Sequence, residues 1–138
     1  MVRFKVTIKD EEPPFERDVD KYIKFLCDVL GLSTGRDTDN TTCKVFKKIV
    51  VHSSRRGVTT TKDICEEINM SRGSVVNQIN KMIEAGMLRK EGNYYVLRRK
   101  NLIRTIWEIR EDILRMFEKI EEIAEELDEE IGLPKEKR

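Results

Sequence analysis

The first apolar residues of the chain alternate with polar ones: Val2, Phe4, Val6 and Ile8 are separated by Arg3, Lys5 and Thr7. A period of two predicts a half-buried strand, and Pro13-Pro14 ends it. The period then lengthens. From Asp18 to Leu30, the residues Val19, Tyr22, Ile23, Leu26, Val29 and Leu30 recur at helical spacing, and Gly31 supplies a stop. Residues 33–42 are polar and read as a loop. Thr41 or Thr42 stands where a cap is needed for a helix reaching about His52, with Val45, Phe46, Ile49 and Val50 on its inner face.

Two short helices follow, each with its own start signal. Thr60 with Asp63 three residues later forms a capping box, ahead of the apolar side Ile64, Cys65 and Ile68. Ser71 caps the next helix, whose buried stripe is Val75, Ile79, Met82 and Ile83, and Gly86 stops it. Only a tight polar turn at Asn69-Met70 separates the two, which is the layout of a helix-turn-helix. Met87–Lys90 and Tyr94–Leu97 then read as two strands joined through Glu91-Gly92-Asn93. A hairpin directly after the second helix is the layout of a wing.

The last element is long. Asn101 caps it and Gly132 and Pro134 end it. Leu102, Ile106, Ile109, Ile113, Met116, Ile120, Ile123 and Leu127 step by fours and threes, a heptad seam. A second stripe, Ile103, Trp107, Leu114 and Phe117, lies beside it. That face is wider than a two-stranded coiled coil needs, so the helix is expected to pack on its own domain near its start and on a partner chain further along. The dimerisation residues expected are Ile106, Ile109, Ile113, Met116, Ile120, Ile123 and Leu127.

Charge divides the chain the same way. The whole carries a formal +1 with 38% charged residues. Residues 41–100 hold thirteen bases and five acids, near +8, whereas residues 1–40 are near −2 and residues 101–138 near −5. A basic middle between acidic flanks suits a segment that meets a polyanion. Three organised parts are therefore expected: a strand and helix over 1–40, a helix-turn-helix with a wing over 41–100, and a dimerisation helix over 101–138. The fold class expected is mostly α, of α+β type.

Composition narrows the setting. Cys27, Cys43 and Cys65 are odd in number and far apart, which fits a reducing compartment rather than a disulfide framework. The N-terminus has no apolar core of a signal peptide, and no apolar run is long enough to span a membrane. A cytoplasmic protein is expected. Much Lys, Glu and Ile with a single Gln resembles hyperthermophile composition. No phosphate-binding glycine loop, nucleophile–base pairing or metal-ligand spacing is present, so no enzyme activity and no cofactor are expected. Cys27 reads as a small core residue, and His52, near a helix end, is given no role.

The segment Thr59 to Leu97 resembles the winged helix-turn-helix domains of prokaryotic, in particular archaeal, regulators of the MarR, ArsR, PadR and GbsR-like groups. The residues carrying the resemblance are Thr60-Thr61-Lys62-Asp63-Ile64, Asn69 to Val75, and Ile83-Glu84-Ala85-Gly86-Met87-Leu88. The stretch from Ser71 to Leu88 looks like that group's recognition helix running into its wing, and the final helix is similar to its dimerisation helices. The chain departs from the metal-sensing ArsR type, because Cys65 is alone in its helix and His52 is the sole histidine.

The resemblance implies double-stranded DNA as partner and a homodimer as the acting form. Helical spacing leaves Gly73, Asn77, Asn80 and Lys81 facing outward, flanked by Ser74 and Gln78. Asn and Gln make paired hydrogen bonds to adenine in the major groove, and Ser bonds several bases. Gly73 would let the helix N-terminus approach the DNA backbone. Ser71 and Arg72 begin that helix. Arg72, Lys81, Arg89, Lys90 and the Arg98-Arg99-Lys100 cluster would hold phosphates and fix register. The rival expectation is a winged-helix module that contacts protein in transcription or chromosome machinery. A small-molecule effector is compatible with such regulators, and no residue of the sequence names one.

Overall fold

Capping side chains start four of the five helices that, with three short strands, form over the described residues. The computed structural model describes residues 4–32, 41–55 and 59–136. Helix α1 (Val19–Val29) starts where the Asp18 carboxylate accepts the Lys21 amide at 3.0 Å. Helix α2 (Thr41–Arg55) follows, with both Thr41 and Thr42 inside it, so neither is the cap expected from the sequence. Most of the polar loop before it, residues 33–40, lies outside the described residues. Strand β1 (Thr59–Thr60) leads into α3 (Thr61–Ile68). The Thr60 hydroxyl accepts the Asp63 amide while the Asp63 carboxylate accepts the Thr60 amide, completing the capping box. Asn69 ends α3 in the left-handed region (φ 56°), and Ser71 caps α4 (Arg72–Glu84) by accepting the Ser74 amide.

Strands β2 (Leu88–Glu91) and β3 (Tyr94–Leu97) pair antiparallel, with Leu88 opposite Leu97 and Glu91 opposite Tyr94. The connection is therefore Gly92-Asn93 alone, one residue tighter than expected, because Glu91 joins the ladder. Strand β1 pairs with the other edge of β3, giving the order β1-β3-β2. Two threonines, the second itself the cap of α3, gave no sequence pattern for that third strand.

Helix α2 sits at the centre. It packs against α1, α3, α4 and β3, and its Val45, Phe46 and Ile49 are fully buried. Burying a side chain of that size stabilises by about 1.5–3 kcal/mol. The core they join takes Ile23, Cys27 and Leu30 from α1, Ile64 from α3, Val75, Ile79 and Met82 from α4, and Ile109 from the last helix, so all three parts of the chain share it. His52 is also buried and faces Glu67 across the α2–α3 interface, its Nε2 3.3 Å from Oε1.

The N-terminal strand is not formed over the described residues. Residues 4–14 pair with no strand. The Lys5 amide donates to the Glu84 carbonyl (2.9 Å) and the Lys9 amide to the Val29 carbonyl (2.8 Å), so the segment bridges the ends of α4 and α1. Phe4 and Val6 are half-buried against them and Ile8 is exposed. Alternation was read correctly for two side chains, but a strand needs a sheet edge, and this segment meets helix ends instead.

Helix α5 (Leu102–Ile131) begins at Asn101, whose side chain accepts the Arg104 amide at 2.9 Å, and ends at Gly132 in the left-handed region. Its first half is fixed to the rest of the fold by a buried ion pair. Asp112, 2% exposed, meets Arg98 at the end of β3, and Arg115 from its own helix. Arg98 also reaches Glu108 (Nε–Oε2 3.0 Å) and lies over the Phe4 ring (5.3 Å). Arg99 holds Glu108 too, and its hydrogen bond keeps that carboxyl below its ordinary pKa. This cluster rests on Gly86 (φ +81°). A Cβ there would stand 2.9 Å from Arg98 Nη1 and 3.3 Å from Ile109 Cγ1.

Gly86→Ala should therefore cost about 2–4 kcal/mol, combining left-handed strain with overpacking. Gly92→Ala has the strain alone (φ +58°, nothing within 4 Å) and should cost about 1 kcal/mol. Urea unfolding with an unchanged m-value is the check, and equal losses would contradict the packing described for Gly86.

Candidate nucleic-acid interface

The side of α4 that turns away from the core carries short polar residues and one lysine. With Val75, Ile79 and Met82 buried, Ser71, Arg72, Gly73, Ser74, Asn77, Asn80 and Lys81 are exposed. Gly73 has open space around it: a Cβ there meets nothing within 4 Å. The first turn of α4 contains no acid. Its first amides lack intrahelical acceptors, and the Ser71 hydroxyl takes only that of Ser74. The Ser71 hydroxyl also donates to Ser74 Oγ at 2.9 Å, so these two side chains hold each other at the helix start.

Beside that helix start lies a cleft of about 560 Å³ between α3, α4 and the hairpin. Thr60, Thr61, Lys62, Cys65, Met70, Arg72, Lys90, Asn93 and Tyr95 line it, three cations and no acid. Lys62, Arg72 and Lys90, and Lys81 in the last turn of α4, form no ion pair among the described residues. The Lys90 ammonium stands 5.8 Å from the centre of the Tyr95 ring, which holds its stem against the sheet. Of the two hairpin tyrosines, Tyr95 packs inward and Tyr94 is exposed. The arrangement offers concentrated positive charge at a helix N-terminus, next to a row of hydrogen-bonding side chains. That is chemistry for a polyanion with a patterned edge.

Several residues expected at this face are engaged elsewhere. Gln78 turns toward α2: its Nε2 donates to Thr41 Oγ1 at 3.0 Å, and its Oε1 is buried without a partner. It ties α4 to α2 rather than facing solvent with Asn77. One helical step of 100° separates a reading position from an inward one, and the sequence pattern alone did not resolve it. Arg89 is exposed but pairs with Glu91 along its own strand. Arg98 and Arg99 of the basic cluster are taken by Asp112 and Glu108, so only Lys100 of the three is unpaired among the described residues. In the other direction, Lys62 joins the cleft although the sequence, which marked it only within the segment carrying the resemblance, gave it no phosphate-holding role. Its place one residue behind a capping-box helix start was the available signal.

The described residues contain no grouping of three or more His, Cys, Asp or Glu able to hold a metal ion, and none of the three cysteines forms a disulfide. No described helix is long and apolar enough to cross a membrane. Compared with protein-family models, curated proteins and solved structures, the chain gives no match.

The geometry separates two neighbouring positions by their effect on stability. Gln78→Ala should destabilise by about 1 kcal/mol through the lost tether to Thr41. Gly73→Ala should stabilise by up to about 1 kcal/mol, since the site is open and alanine favours helix. Thermal unfolding measures both, and a stabilised Gln78→Ala variant would contradict the tether.

Proposed function

We propose that this chain is a winged helix-turn-helix protein of the prokaryotic regulator class, binding double-stranded DNA in a sequence-specific way as a homodimer in the cytoplasm. In this reading α3 and α4 are the helix-turn-helix, β2 and β3 are the wing, and α4 enters the major groove. The observation that carries it is the unpaired cationic cleft, Lys62, Arg72 and Lys90, set beside the exposed polar row of α4. Cations clustered without acids cost self-repulsion, and a phosphate backbone relieves it.

Roles follow from chemistry. Asn77 and Asn80 present amide groups suited to adenine edges, and Ser74 serves as a general donor or acceptor. Lys62, Arg72, Lys81 and Lys90 hold phosphates and fix register. Gly73 allows the start of α4 to come close to the backbone. Arg89 is a weaker contributor, since Glu91 already neutralises it. The exposed stretch of α5 supplies the dimer contact and brings two reading helices to two half-sites.

Asn77→Ala should cost about 1–3 kcal/mol on a cognate duplex and little on random DNA. Arg72→Ala or Lys90→Ala should weaken both duplexes alike and lower the salt slope by about one ion each. Gly73→Ala should bind more weakly even though it is the more stable protein. Fluorescence anisotropy at two salt concentrations measures all of them. Affinity for duplex DNA that is absent, or indifferent to Arg72 and Lys90, would move the function to a protein partner.

A further inference from the structure

The outer face of α5 is apolar, contiguous and symmetric about one residue. Beyond the part that packs on its own domain, its large apolar side chains are between 48% and 66% exposed. Ile103 and Ile131 each lie fourteen residues from Phe117, Trp107 and Leu127 each ten, and Leu114 and Ile120 each three. A two-fold axis at Phe117, perpendicular to the helix, would set these six and Phe117 itself against apolar partners of a second copy, while the equally exposed Ile123 would fall opposite Glu111 at the edge of the face. At the 3.5-residue period of a supercoiled pair, the six fall within about 51° to either side of Phe117.

The charge on α5 is not symmetric, and it selects the direction. Between Glu121 and Glu130 stand seven acids and no base, and none of them forms an ion pair among the described residues. At the other end Lys100, Arg104 and Arg110 are likewise unpaired among the described residues, against the single unpaired acid Glu111, so that end keeps a positive excess. A parallel pair would lay seven acids against seven. An antiparallel pair lays them along the basic start of the other helix, placing Glu130 beside Arg104 in the register set by Phe117.

We infer that two copies of this chain associate through α5 in antiparallel register centred on Phe117, the acidic end of each helix lying on the basic start of the other. The inference rests on the dimer proposed above and adds its direction and register. It also accounts for the exposure of the start of α5. Ile109 and Asp112 anchor one face of that start to its own domain, while Ile103 and Trp107 on the opposite face stay open for the second copy.

Spin labels measure the direction. In a Cys65→Ser background, where the remaining cysteines are buried, labels are placed singly by Phe117→Cys, Leu127→Cys and Ile131→Cys. All three positions are exposed, so the core is untouched. With 1.5 Å per residue, the inter-copy distance should grow from about 10–20 Å at position 117 to about 30 Å at 127 and about 42 Å at 131. Short distances at all three positions would overturn the antiparallel register and leave the dimer standing. Absent coupling at all three, with the unsubstituted protein also sedimenting as a monomer, would overturn the dimer as well. The Asn77 and Lys90 contrast on DNA reports on α4 separately in either case.

Discussion

The contact between Asp112 and Arg98 joins four parts of the chain that are otherwise held by separate forces. Asp112 is a buried carboxylate on α5. Arg98 ends the hairpin, covers Phe4 of the N-terminal segment and presses on Gly86 at the end of α4. A buried pair of this kind adds little net stability against a well-packed apolar substitute, yet losing one partner leaves an uncompensated charge that costs about 3–5 kcal/mol. Its value is geometric. It sets the angle at which α5 leaves the domain, and so the angle at which the exposed face of that helix is offered, relative to α4.

Positive charge in this fold has two destinations. Arg89, Arg98 and Arg99 are neutralised within the protomer, by Glu91, Asp112 and Glu108. Lys62, Arg72, Lys81 and Lys90 are not: the first, second and fourth gather around the start of α4 and the neighbouring cleft, and Lys81 stands in the last turn of α4. The near +8 excess of the middle segment is thus divided between structural and available cations, and only the second kind supports binding to a polyanion. Paired arginines suit the structural task because a planar guanidinium bridges two carboxylates at once, as Arg98 does with Asp112 and Glu108.

What could be read from the sequence was local. The Thr60–Asp63 capping box, the Ser71 and Asn101 caps, the hairpin around Gly92 (expected one residue longer, from Glu91) and the buried stripe of α4 each depend on residues a few positions apart, and each was visible as a pattern. What failed depended on distant partners. The alternation at Phe4, Val6 and Ile8 gave the period of a strand without a sheet edge to complete it. Gln78 looked outward until α2 supplied Thr41. The heptad from Leu102 ran as one seam, but Ile109 is 3% exposed in the protomer's own core, and Ile106 and Ile113 pack against that core. Those three belong chiefly to the domain, Met116 is half-buried, and the exposed face passes from the second stripe to Ile120, Ile123 and Leu127. Two adjacent stripes on one helix carry no mark of which one the domain will claim.

The central claim is that the face built from α4 and the cleft beside it reads duplex DNA. Selection from a pool of random duplexes tests it without a prior choice of site. The account predicts enrichment of a two-fold symmetric sequence with half-sites about one helical turn apart, retained in moderate salt. A pool that stays random after repeated selection, with the protein folded and dimeric, would contradict it.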